Sequence, residues 1–216
     1  MTADSLKLFR AAADAYQREN WRAIAELCEP ESLSRFKAGL IAMFAPPPSS
    51  ALPLTATELM KAVPGMPRSV AEYQVQRFRE RAIPETRLRE MIPGIESIKA
   101  LESMKPVEVF AAWLASRSFR AEIERAFERK QMTRAMANSI LATGEGRGEF
   151  HAIGVVDDGD AVRHIVYRRG EEGRPDTIQI RRQPNDSWLL VADPYFMNMG
   201  STATRVYTED VDAGDE

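Results

Sequence analysis

The chain has 216 residues, 44% of them hydrophobic, with a formal charge of −3, which suits one domain with an insertion, or one domain and a small appendage. No run approaches the ~18–20 consecutive apolar residues of a membrane span, and the start, Met1 to Leu6, shows no basic leader followed by an apolar stretch. Five acids and no base fall in Thr208–Glu216; without them 29 bases face 27 acids, a near-neutral balance that leaves no electrostatic footprint for nucleic acid.

Leu6, Phe9, Ala13 and Tyr16 fall at helical spacing, as do Trp21, Ile24, Ala25 and Cys28, and Asn20 between them suits a break and an N-cap. Pro30 fits a helix first turn, and Leu33, Phe36, Leu40, Ile41 and Phe44 give the next amphipathic face. These are two or three short helices wrapping one core. Cys28 is the chain's single cysteine, which excludes an internal disulfide framework and fits a reducing, cytoplasmic compartment. It lies on the apolar stripe with no nearby His or basic cluster to lower its pKa, so it reads as a small buried hydrophobe and not as a nucleophile.

Ala45-Pro-Pro-Pro-Ser-Ser-Ala-Leu-Pro53 ends that helix and reads as a stiff, extended connector. It opens a Pro-rich helical insertion over residues 45–104, punctuated by Pro64, Pro67, Pro84 and Pro93. Thr55 or Thr57 suits the first cap there, and Ser69-Val-Ala-Glu72 has the form of a capping box for a helix running to about Ile83. The insertion's Met60, Met66 and Met91 suggest adaptable packing over the domain more than a ligand box.

Pro106 opens the strongest helix, with Val109, Phe110, Trp113 and Leu114 in one stripe. A second run carries Ile123, Ala126, Phe127 and Lys130 beside an ordinary solvated charged face, and is expected to fray between Met132 and Leu141. Gly144-Glu-Gly-Arg-Gly148 follows. A phosphate-cradling loop leads into a helix N-terminus, whereas this one leads into a strand, so it serves as a flexible lead-in.

From Gly148 to Pro194 the pattern is that of about four antiparallel strands. Gly148–Asp157 and Asp160–Arg169 are rich in β-branched and aromatic residues and flank Asp158-Gly159, a dipeptide suited to a tight hairpin turn. Thr177–Arg182 and Ser187–Ala192 continue the sheet across a turn at Pro184-Asn185-Asp186. With a two-residue turn, Asp157 faces Asp160, Ile153 faces His164, His151 faces Val166, Phe150 faces Tyr167 and Glu149 faces Arg168. Period-two alternation then puts Phe150, Ala152, Val156, Ile165 and Tyr167 on one face, and Glu149, His151, Ile153, Val155, His164, Val166 and Arg168 on the other. Apolar residues occur on both faces, so each is expected to be covered, one by helices and the other by a partner subunit, inserted helices or a ligand.

Three stretches carry a resemblance: Trp21-Arg-Ala-Ile-Ala-Glu-Leu-Cys-Glu-Pro30, then Gly154-Val-Val-Asp-Asp-Gly-Asp-Ala-Val-Arg-His-Ile-Val-Tyr-Arg168, then Trp188-Leu-Leu-Val191. Over residues 3–44 and 132–195 the chain resembles the nuclear-transport-factor-2-like (cystatin-like α+β) superfamily, especially its bacterial members. The resemblance implies N-terminal helices packed in the bend of a curved sheet, with any pocket between them. That fold hosts isomerases, dehydratases, polyketide cyclases and members without activity, so it does not choose a chemistry.

The polar cluster that the expected register brings together is His151, His164, Glu149 and Arg168 on one face, with the two histidines as diagonal neighbours. These are the candidate pocket or ligand-binding residues. His164 could serve as a general acid–base group oriented by a neighbour. Two histidines and Glu149 could also approach a metal, but strand geometry leaves those ligands poorly convergent. Most simply, His164 is a hydrogen-bonded sheet residue and Glu149–Arg168 a surface pair. Asp193 before Pro194 could reach into the mouth of a pocket or simply end the strand. The arginines at 163, 168, 169, 181 and 182 could hold an anion or solvate an edge.

The expectation is an α+β, cone-like domain over residues 1–207, its curved antiparallel sheet at the C-terminal end packed on N-terminal helices. A helical insertion interrupts it, and a disordered acidic tail over 208–216 follows. Its function is expected to be non-catalytic, as a small-ligand-binding or protein-interaction module. The partners are a small apolar ligand and a second copy through the sheet, with no cofactor, nucleic acid or membrane. The alternative is an isomerase, dehydratase or cyclase-type enzyme using a pocket histidine.

Overall fold

The computed structural model describes residues 3–44, 55–81, 83–143, 149–171 and 173–193. The Ala45–Pro53 connector, the Gly144–Gly148 lead-in and the acidic tail lie outside the described residues. The fold is α+β, with ten helices and then a curved, open four-stranded antiparallel sheet among the described residues. By its internal contacts the chain divides into two compact units, Met1–Lys37 with Lys105–Glu216, and Ala38–Met104.

The helices begin where local chemistry starts them. α1 spans Ala3–Gln17 and α2 spans Trp21–Glu26, with the Asn20 side chain accepting from the Ala23 backbone N–H at 3.1 Å as expected of an N-cap. α3 (Pro30–Met43) opens on its proline. In the second unit, α4 (Ala56–Ala62) is capped by Thr55, which accepts from Glu58 N–H at 3.2 Å. α5 (Arg68–Arg81) starts one residue before Ser69, so the expected capping box does not form; Glu72 instead pairs with Arg68 at 2.9 Å. α6 (Pro84–Met91) and α7 (Ile98–Ser103) complete that unit. Its fully buried side chains are Phe44, Ala71, Leu88, Ile92 and Leu101, while Met60, Met66 and Met91 are half-buried and Met43 is exposed. Arg87 Nη2 donates to the Met43 carbonyl at 2.9 Å and tethers α6 to the end of α3.

In the first unit, α8 (Pro106–Ser116) buries Val109, Phe110, Trp113 and Leu114, the expected stripe, and packs on α2. Phe36 of α3 meets Phe110 and Trp113 edge-on, with ring centroids at 4.9 and 5.2 Å. α9 (Phe119–Glu128) begins at Ser118, which accepts from Ala121 N–H at 3.2 Å. The fraying expected beyond Met132 does not occur. Thr133 caps α10 (Arg134–Thr143), accepting from Met136 N–H at 3.2 Å. Ala137, Ile140 and Leu141 of that helix pack on Phe119 and Ile123 of α9. This pair of helices forms a small apolar cluster of its own.

The sheet runs β1 (Phe150–Asp158), β2 (Val162–Arg169), β3 (Asp176–Arg182) and β4 (Trp188–Leu190), paired in sequence order. The first hairpin differs from the expected register. Asp158 pairs with Val162 across a three-residue loop, Gly159-Asp160-Ala161, with Gly159 at φ +72°. Asp157 therefore faces Arg163, and the Arg163 Nε lies 2.5 Å from its carboxylate. The two-residue turn would have set Asp157 against Asp160, and like charges directly opposed are destabilising.

A second departure follows at Ile153, an extra residue between the Ala152–Tyr167 and Gly154–Val166 pairs. This β-bulge exchanges faces along the rest of β1. Val155 now shares the inner face with Ile165, and Val156 shares the outer face with His164, the reverse of the expected assignment. Phe150 and Tyr167 still lie on one face, as diagonal neighbours with ring centroids 5.7 Å apart.

That inner face is the core of the first unit. Ile165, Tyr167, Ile178, Ile180 and Leu190 are all buried, and α1 packs against β1 and β4 of this sheet. The Phe9 ring lies 5.5 Å from Tyr167, and Tyr16 meets Phe150 edge-on at 4.9 Å. The far edge of β4 is also paired, because Leu190 donates to the Leu27 carbonyl at 3.0 Å and accepts from Glu29 N–H at 2.8 Å. The short stretch between α2 and α3 thus acts as a further rib of the sheet. Among the described residues, no helix is long and apolar enough to cross a membrane.

Candidate functional site

The four candidate residues are not brought together. His151 and His164 do share the outer face, but His151 pairs with Arg168 and His164 with Val156. Four positions of β2 separate the two histidines, roughly 13 Å at the rise of a strand. The expected stagger was two positions. The longer hairpin loop, partly offset by the bulge, makes the difference. Glu149 is exposed and spends its carbonyl on the Gly170 N–H at 2.7 Å, so it lies beyond Arg168 and not opposite it.

What His164 has instead is Asp158. Its Nε2 lies 3.6 Å from Asp158 Oδ2, with the His side chain 33% exposed and the Asp at the hairpin's solvated end. That separation exceeds a hydrogen bond and makes an ion pair only when the imidazole is protonated. Among the described residues, no group of three or more His, Cys, Asp and Glu is placed to hold a metal ion.

The outer face is apolar around these polar groups. Ile153 is 52% exposed and Val156 is 57% exposed, with Val162 and Val166 half-buried beside them, while Thr177, Gln179 and Arg181 make the next strand polar on this face. Arg168 and His151 stand at the open end of the hairpin, and Asp158 with Asp160 at its turn.

The five arginines do not form one anion site, because the sheet alternates them. Arg163 and Arg169 fall on the inner side, where Arg163 covers the Trp188 ring at 4.2 Å and Arg169 covers the Phe150 ring at 4.8 Å. Arg182 pairs with Asp186 at 3.0 Å. Arg181 reaches Glu29, and Arg168 is exposed on the outer face.

Sequence periodicity gave no sign of Glu29. Its side chain is only 7% exposed, and Arg181 Nη1 lies 3.2 and 3.0 Å from its two carboxylate oxygens, with Arg35 at 3.6 Å. Ser32 completes this junction, donating to the Glu29 carbonyl at 2.8 Å and accepting from Ala192 N–H at 3.0 Å. On the inner face, the Tyr167 hydroxyl donates to Asp176 Oδ2 at 3.1 Å. Burial first, then the neighbouring carboxylate, pushes the phenol well above its ordinary pKa, so this proton is held and not available for transfer. Cys28 is buried as expected. Burial, with a smaller contribution from Asp193, raises its thiol pKa far above the reactive range.

No family model, curated protein or solved structure shows a significant match to the chain. The chemistry must therefore be read from its own surfaces.

Proposed function

We propose that this chain is a non-catalytic interaction module whose docking surface is the outer face of the sheet, and that its partner there is a second copy. The exposure of Ile153 and Val156 on a face already carrying Val162 and Val166 supports this most directly. Soluble monomers seldom leave adjoining apolar side chains of a sheet face in water without a use for them. The charges fit a self-complementary contact. A two-fold axis running across the strands sets the turn end of one hairpin against the open end of the other, so Asp158 meets Arg168 of the second copy while valines meet valines.

The likeness to the nuclear-transport-factor-2-like superfamily belongs to the same proposal, supported by α1 lying against the curved sheet. So does a cytoplasmic location, supported by the single buried cysteine. A near-neutral charge argues against a nucleic-acid partner.

Sedimentation equilibrium tests the docking face. The wild type should dimerise at micromolar concentration, Val156→Arg should be monomeric, and Arg168→Asp should weaken the dimer. Combining Arg168→Asp with Asp158→Arg should restore it. A wild type that stays monomeric at about 100 μM, above the range of specific assembly, removes the proposal.

The enzyme alternative rests on the His164–Asp158 couple. It requires a substrate held over an open sheet face, where water is not excluded and electrostatic stabilisation is weak. That favours docking over chemistry.

A further inference from the structure

The connection between α9 and α10 holds a cavity of about 470 Å³, lined by Phe127, Glu128, Lys130, Gln131, Met132, Thr133 and Met136. Its volume lies within the range of about 300–1,000 Å³ seen for small-ligand sites, although it is an open depression of the surface and not an enclosed chamber. Its walls are apolar and adaptable. Met132 is buried, Met136 is 47% exposed, and both thioether chains can shift around an aliphatic guest.

The cavity also has a cation held in an unusual way. α9 ends in a Schellman motif, with Lys130 N–H donating to the Phe127 carbonyl at 2.9 Å and Gln131 N–H to the Ala126 carbonyl at 3.0 Å. The residue in the left-handed position of that motif is normally glycine, because a Cβ there is strained. Here it is Lys130, at φ +58°. Strained backbone at the rim of a cavity is the kind of outlier from which a function is inferred. Lys130 is exposed, and no ion pair to it occurs among the described residues. The Arg134 guanidinium lies 3.6 Å from the Phe127 ring centroid, setting a second cation against the cavity's aromatic wall. Within the lining Glu128 offsets Lys130, and Arg134 against the Phe127 ring leaves one cation in excess at this rim. The start of α10 adds the positive end of a helix dipole, with Thr133 capping one of its N–H groups.

We propose that this cavity binds an amphipathic carboxylate, its alkyl chain along Phe127, Met132 and Met136 and its anionic head at Lys130. The site is separate from the outer sheet face and does not depend on that face docking a partner.

Laurate, titrated by calorimetry below its critical micelle concentration, tests the assignment on the full chain. One site per chain should appear, with binding weakened at least about fivefold by Lys130→Gly, because a single charge-assisted contact is lost. Lys130→Gly should relax the backbone, and a thermal midpoint at or above that of the wild type separates weaker binding from unfolding. Met136→Glu, at an exposed position, should abolish binding. Dodecanol should bind at least about fivefold more weakly than laurate, and Val156→Arg should bind laurate like the wild type. If laurate does not saturate one site, the proposal is overturned. Equal binding by the wild type, Lys130→Gly and Met136→Glu would overturn it too, as would loss of binding in Val156→Arg alone.

Discussion

Arg181 on β3 grips both carboxylate oxygens of Glu29, 152 residues away in the chain, and so fixes the segment between α2 and α3 to the sheet. The backbone pairing of Leu27 and Glu29 with Leu190 runs alongside it. Because the carboxylate is almost wholly buried and the guanidinium only partly exposed, removing one partner strands the other in a poorly solvated place. Glu29→Gln keeps the shape but removes the charge. It is expected to cost about 1–3 kcal/mol, below the loss for a fully buried pair because both arginines retain some contact with water. A shift in the urea midpoint corresponding to less than about 0.5 kcal/mol would show the pair to be ornamental to stability.

The bulge at Ile153 makes a sharp prediction for two adjacent valines. Val155 shares the inner face with Ile165, whereas Val156 stands exposed beside His164. Val155→Asp should therefore destabilise the fold by about 1–3 kcal/mol, by desolvating a carboxylate, and Val156→Asp by less than about 0.5 kcal/mol. Chemical denaturation in dilute protein, below any dimerisation, reads both. The reverse order would put Val156 and not Val155 on the inner face, against the Val155–Ile165 pairing.

Those valines mark the limit of what was legible in the sequence. The strands, their order and the helix starts at Asn20, Pro30 and Pro106 were legible, because periodicity and capping chemistry are local. The common side of Phe150 and Tyr167 was also legible, as was that of His151 and His164. The closeness of the histidines was not. It depended on a turn length and on one inserted residue, neither of which changes the composition of β1. Electrostatics offered a usable signal for the turn, since the two-residue loop opposed Asp157 to Asp160 while the observed one opposes Asp157 to Arg163. The Glu29–Arg181 pair and the Lys130 cavity left no periodic trace. One joins distant segments, and the other puts a lysine where glycine would have announced the helix end.

Two helices end in Schellman motifs with a charged residue in the left-handed position: Glu19 after α1 at φ 53° and Lys130 after α9 at φ 58°. Replacing either with glycine relieves the Cβ strain. Lys130→Gly should raise stability by about 0.5–1 kcal/mol. Glu19→Gly should gain less, because it also removes the 3.2 Å ion pair with Arg120 that ties the end of α1 to α9. Parallel thermal melts distinguish the two. A destabilised Lys130→Gly would show that its side chain makes a compensating contact in the folded protein.

The buried thiol and phenol set the alkaline limit of the fold. In the unfolded chain Cys28 ionises near pH ~8.5 and Tyr167 near ~10. In the folded chain burial holds both protonated to much higher pH, helped by Asp193 at the thiol and Asp176 at the phenol. Their contribution to stability is complete below pH ~8.5. Above each unfolded value the unfolded chain has released a proton that the folded chain still holds, so stability falls as pH rises. The slope reaches about 1.4 kcal/mol per pH unit for each group. Between pH 8 and 10 the thiol dominates, so Cys28→Ala should lose less stability over that interval than the wild type, by about 1–2 kcal/mol. Tyr167→Phe should differ from the wild type mainly above pH ~10. Urea midpoints taken at pH 7, 8, 9, 10 and 11 give the comparison. An alkaline drop between pH 8 and 10 that is unchanged in Cys28→Ala would mean that the thiol titrates alike in both states, contrary to its burial. Native Cys28 should likewise resist a thiol-disulfide reagent at pH 8 and react fully in denaturant.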